Sequence, residues 1–187
     1  MAVTTGNLAM GPGTLYVGLF GAAEPLDSQV NGTPAVSAWT NPGGTLGGLK
    51  FTETKTFKEL EVDQIVETPE RRVTKREVTL ATQLAEVTFA NLILALNGGT
   101  ATTTDPNFDT FDPDAGNSGD SPAYKAIIFD GFGGGGFRRR VFIRKVLSTE
   151  NVEVAHGKED QSVYPVTFTS HYVSSAIRSW RVVSSKV

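Results

Sequence analysis

The sequence predicts a mainly β fold: two packed antiparallel sheets, sandwich- or barrel-like, with one flanking α-helix and long loops. Three observations carry this. β-Branched and aromatic runs bounded by turn residues recur along the chain, a single segment has helical apolar spacing, and two stretches crowded with turn-forming residues interrupt the strands. At 187 residues, 39% hydrophobic and 20% charged, the chain reads as one domain over 1–187. Its ends read as arms, N-terminal over about 1–12 and C-terminal over about 175–187.

The first strand is "GTLYVGLFG", Gly13 to Gly21. Residues 22–48 then read as a long loop, of a length that in a compact domain usually carries function or becomes ordered against a partner. Two extended segments follow, "LKFTETKTFKELEVDQ" and "RRVTKREVTLATQLAEV", joined by "IVETPE", and together they suggest a long hairpin. In the first segment Leu49, Phe51 and Phe57 are odd-numbered whereas Leu60 and Val62 are even, which calls for a bulge or kink between Phe57 and Leu60 because side chains alternate on a regular strand.

The helix is "TFANLILALNGG". Phe89, Leu92, Ile93 and Leu96 fall at i, i+3, i+4 and i+7 and form the expected packing face, with Thr88 to cap the start and Asn97 with Gly98 to end it. Three turns do not hold alone in water, so this helix is expected to lie on a sheet. Residues 99–122 read as a second long loop without hydrophobic period. The remaining strands are "YKAIIF", "FRRRVFIRKVLST" and "SVYPVTFTSHYVS", with a tail holding Ile177, Trp180, Val182 and Val183. Between the first two lies "GFGGGGF". A phosphate cradle needs a helix opening behind its glycines, and here Phe137, Val141, Phe142 and Ile143 among arginines continue as a strand, so the glycines predict a hairpin turn.

Composition removes several chemistries. No cysteine is present, which excludes disulfides, thiolate metal sites and thiol nucleophiles. His156 and His171 have no neighbours at metal-ligand spacing, and neither a G-x-S-x-G elbow nor an H-E-x-x-H pair occurs. "GGTLGGLK" approaches a Walker A motif but puts Leu49 at the lysine position. "DPDAGNSGD", Asp112 to Asp120, approaches a calcium loop but lacks the closing glutamate, so it reads as a solvated acidic loop. No catalytic centre and no cofactor is expected. The N-terminus has neither a basic n-region nor a long apolar run, which points to synthesis in the cytoplasm and away from a membrane. A net charge of −3 announces no nucleic-acid partner by itself.

Charge is nevertheless segregated. Lys50 to Glu70 is mainly acidic, whereas Arg71 to Arg76 and Arg138 to Lys145 are basic. Arg71, Arg72, Arg138, Arg139 and Arg140 are therefore candidate contacts to another copy of the chain, a solvated face being the competing reading.

In its order of elements, and most clearly in Arg76 to Gly99 where a strand runs into "LAEVTFANLILALNGG" before further β sequence, the chain resembles the major tail tube proteins of long-tailed bacteriophages. The resemblance implies hexameric rings stacked into a tube in the virion tail. A tape measure protein would lie inside, tail terminator and distal tail proteins at the ends, and DNA would pass through without specific binding. A tube that releases DNA gains from an acidic or neutral lumen, because each neutralised phosphate adds to affinity. Glu59, Glu61 and Asp63, of one parity on a long strand, are the candidate lumen residues, against bulk solvent or pairing with a neighbour's arginines. Type VI secretion tube proteins share the architecture. A monomeric β-sandwich binding a sugar or calcium through its loops, or a small carboxylate hydrolase, would instead be a compact monomer.

Overall fold

The run Ala126, Ile127, Ile128 is buried at every position, which happens only when a strand is covered on both faces. That strand organises the fold. In the computed structural model, which describes residues 8–114 and 122–186, it is β7, Lys125–Phe132, the seventh in chain order. Before it come β1 (Thr14–Leu19), β2 (Trp39–Thr40), β3 (Thr45–Leu60), β4 (Glu70–Leu84), the helix α1 (Phe89–Leu96), β5 (Thr100–Thr102) and β6 (Thr110–Asp112). After it come β8 (Arg138–Ser148), β9 (Tyr164–Ser170) and β10 (Trp180–Ser184).

One large antiparallel sheet has the order β2-β1-β7-β8-β9-β4-β3, with β10 also on β8, and β5 and β6 form a separate two-stranded sheet. β8 changes partner along its length: Arg139 to Ile143 pair with β10, and Val146 to Ser148 pair with β9. The large sheet thereby folds into two layers with one core between them. Leu15, Ile127 and Ile143 from one layer meet Val78, Leu80, Leu84, Val166 and Phe168 from the other. Phe51 of β3 and Trp180 of β10 close the same core, their ring centroids 5.1 Å apart.

The opposite face of β7 and β8 is covered by the first long connection. Trp39 packs with Ala126, Ile128 and Phe142, and its indole N–H donates to the Ala23 carbonyl at 2.9 Å. Residues 22–48 are thus not a plain loop: they contain a 3-10 turn at Asp27–Gln29, β2 and the first residues of β3. Likewise the stretch 99–122 contains the β5–β6 hairpin, and the part of the acidic loop from 115 to 121 lies outside the described residues. Both were missed because short strands of threonine and one aromatic have no apolar period.

The glycine run is the β7–β8 turn, with φ of 74° at Gly135 and 77° at Gly136, values that side-chain-bearing residues rarely adopt. Phe137 continues into β8, so no helix opens behind the glycines. The helix keeps its expected ends: Thr88 accepts from the Asn91 N–H at 3.2 Å, and Asn97 is left-handed with φ 58°. Its buried face differs from the expected one. Asn91, Leu94 and Ala95 are buried, Leu92 and Ile93 are half-buried, and Phe89 and Leu96 are exposed. "LILAL" is apolar at consecutive positions, so spacing alone allowed more than one stripe.

The bulge expected between Phe57 and Leu60 does not form, and these two side chains point to opposite faces of a regular β3. β3 is regular from Lys50 to Leu60, while Thr56 pairs with Lys75 and Phe57 with Val73, leaving Thr74 of β4 as the extra residue. A second irregularity, at Gly47 and Gly48 with φ of 75° each, lets Leu46 face Gln83 and Lys50 face Ala81.

Candidate subunit interface

Among the described residues β3 has no strand on its far side, and β4 meets β9 only from Thr79 onward. At the junction the Val78 N–H is taken by the Ser170 hydroxyl at 3.1 Å, which ends the ladder. Beyond that point β3 and β4 run on as a two-stranded ribbon, and every residue from Thr54 to Arg76 except Leu60 is exposed. Two free strand edges and two open faces are a surface built for pairing, since a lone hairpin is marginal in water and free edges invite another chain.

The expected site residues fall as follows. Glu59 is on β3 and is held within the chain: Arg71 reaches it at 2.6 Å and the Thr68 hydroxyl at 3.4 Å. Glu61 and Asp63 lie past the end of β3, in the exposed tip at 61–69, so the three acids do not share a strand face. Pro69 and the tip turn consume residues that the sequence assigned to the strand. Arg72 is exposed and faces Lys58 directly across the ribbon, with Glu70 at 3.5 Å. Arg138 lies over the Phe132 ring at 5.2 Å, and Arg139 donates to the Ser184 hydroxyl at 2.9 Å; both are exposed.

Arg140 corrects the expectation for its run. It is 1% exposed, its Nε and Nη2 donate to Asp130 at 2.5 Å and 2.6 Å, Nη2 also donates to the Gly32 carbonyl at 2.6 Å, and Nη1 donates to the Gln29 carbonyl at 3.3 Å. Strand alternation turns Arg140 beneath the 22–40 connection while its neighbour Arg139 stays in solvent. Two further arginines act alike: Arg144 holds Glu24 at 2.5 Å, and Arg181 pairs with Asp27. The basic stretch of β8 is largely a clamp on its own chain.

Sequence reasoning also missed Asn91, whose side-chain amide donates to the Pro42 and Glu86 carbonyls at 2.8 Å each and ties α1 to the start of the long hairpin. A polar residue inside an apolar helical stripe was the available signal. Asn97 docks the other end of α1, giving to the Ser148 carbonyl and accepting from the Ser148 N–H at 2.9 Å. The Phe89 ring, outside the core, lies 6.0 Å from Phe111 of β6.

A groove of about 780 Å³ opens between β1 and α1, lined by residues including Val17, Leu19, Phe20, Pro42, Asn91 and Leu94. Among the described residues no group of three His, Cys, Asp or Glu side chains could hold a metal. Among those residues, too, no helix is long and apolar enough to cross a membrane.

Among the described residues the fold is a β-rich body with one capped helix and an exposed two-stranded ribbon. Residues 4–184 match the family described as phage tail tube protein. The chain belongs to that family, which gives it a structural role in a phage tail and implies self-assembly into a tube. No curated protein matches the chain.

Proposed function

We propose that this chain is the repeating subunit of the tail tube of a long-tailed, siphovirus-like bacteriophage, assembling in the host cytoplasm as hexameric rings that stack around a channel for DNA. The tape measure protein occupies the channel before ejection, and terminator and distal tail proteins close its ends. The observation that carries this reading is the exposed ribbon of β3 and β4, whose free edges and faces gain partners when another subunit lies beside them. Arg72 faces Lys58 across the ribbon but lies 3.5 Å from Glu70, so it is already paired within the chain and keeps only a small part at a subunit contact. Arg71 keeps a similarly small part, being already paired to Glu59, and Arg138 and Arg139 remain exposed contacts at the opposite end of β8. Glu61 and Asp63 at the tip, with Glu59 behind them, are the acids proposed to face the channel.

Light scattering after size exclusion, with negative-stain images of the same fractions, tests the reading. Rings or tubes of uniform diameter are expected. A compact monomer at high concentration would overturn it in favour of a ligand-binding module.

A further inference from the structure

The two faces of the ribbon differ in chemistry. One carries Thr54, Thr56 and Lys58 opposite Glu77, Lys75 and Arg72, and is polar up to the half-buried Leu60 at the end of β3. The other continues the face of Phe51 and Leu80, which pack in the core, and carries Glu53, Lys55, Phe57 and Glu59 opposite Val78, Arg76, Val73 and Arg71. On this second face every charge has a partner within the chain, two cations sharing one carboxylate: Arg76 lies 3.4 Å and Lys55 3.7 Å from Glu53, and Arg71 lies 2.6 Å from Glu59. Between these pairs sit Phe57 and Val73, directly opposed, 54% and 48% exposed.

Thr74 is what opposes them. Residues 73 and 78 have different parity, so on a regular β4 Val73 would point to the polar face while Val78 points to the core. The extra residue puts both on one side, and the Thr74 hydroxyl donates to the Thr56 carbonyl at 3.2 Å where the ladder is broken. The bulge thus opposes an apolar pair that the monomer leaves about half in water.

We infer that the Phe57–Val73 face is a self-association seat, covered by a second copy of this chain in the assembled tube, while the opposite face around Thr54 stays open to solvent. This rests on the tube reading above. The occupant follows from the charge: the patch carries one surplus positive charge, which does not repel a chain of net −3, and each of its cations is already held by a carboxylate that a polyanion would have to displace. An apolar pair ringed by satisfied polar groups also matches the anatomy of an energetic centre in a protein contact, and the free edge of β3 beside it offers backbone bonds.

The chain has no cysteine, so single thiols report burial directly. Val73→Cys and Thr54→Cys would be reacted with a small maleimide before and after assembly. Val73→Cys should react about tenfold more slowly or less in tubes than in monomers, and Thr54→Cys at the same rate in both. Equal rates for Val73→Cys in tubes and monomers, or protection of Thr54→Cys alone, would overturn the seat and leave the tube reading intact. A wild-type chain that never assembles would overturn both. As a second arm, Phe57→Thr with Val73→Thr should raise the concentration needed for assembly about tenfold or more, with the monomer's circular dichroism unchanged. Assembly at the wild-type concentration would again count against the seat.

Discussion

Arg140 on β8 and Asp130 on β7 face each other as cross-strand partners, and the guanidinium grips both carboxylate oxygens, at 2.5 Å and 2.6 Å, in a site closed to water. A buried pair of this kind adds little over a well-packed apolar pair, but losing one member leaves a charge without a partner. Asp130→Ala should therefore lower unfolding free energy by about 3–5 kcal/mol in a denaturant titration. A change below about 1 kcal/mol would mean that Arg140 escapes to solvent.

Arg140 also bonds the Gln29 and Gly32 carbonyls, so the double change Asp130→Val with Arg140→Met separates two roles. Much of the stability lost in Asp130→Ala should return because no lone charge remains, yet residues 24–32 should become a new site of limited proteolysis. An unchanged digestion pattern would show that Arg144 and Arg181 hold that segment unaided.

Helix packing gives a contrast between neighbours. Leu94→Asp should cost about 4 kcal/mol or more, because the charge enters the core, whereas Leu96→Asp on the exposed side should change monomer stability by about 0.5 kcal/mol or less. Equal effects in thermal melts would place the buried face elsewhere.

Asn91 donates to two carbonyls and is buried, so its chemistry can be reversed without changing its size. Asn91→Ala should cost about 1–3 kcal/mol, and Asn91→Asp more, since a carboxylate would face the same two oxygens. The order of the two melting temperatures is the measurement, and the reverse order would argue against this hydrogen-bond assignment.

For the proposed channel, Glu61→Lys with Asp63→Lys should leave tubes able to form, because neither side chain has an ion-pair partner among the described residues that assembly needs. DNA ejection should slow, and the slowing should fade with salt as counterions screen the added attraction over about 8–10 Å. Loss of assembly would place the tip at a subunit contact. Normal, salt-independent ejection would place it on the outer surface.

The sequence by itself determined what is local. Strand runs bounded by turn residues, the glycine turn between β7 and β8, and the Thr88 and Asn97 ends of α1 depend on φ preferences and on hydrogen bonds within a few residues. It also exposed a parity conflict in the long hairpin. That conflict produces no bulge in β3, where Phe57 and Leu60 point to opposite faces; register depends on both strands at once, so only the folded pair shows an extra residue, at Thr74 of β4. The same reason separates Arg139 from Arg140: identical in type and adjacent in sequence, they differ because a segment more than one hundred residues away folds over one face of β8 and not the other. The apolar run of α1 allowed several buried faces, and the position of β8 and β9 selected Leu94 and Ala95. Tertiary structure decided these points because burial belongs to a residue's neighbours in space, which chain order does not contain.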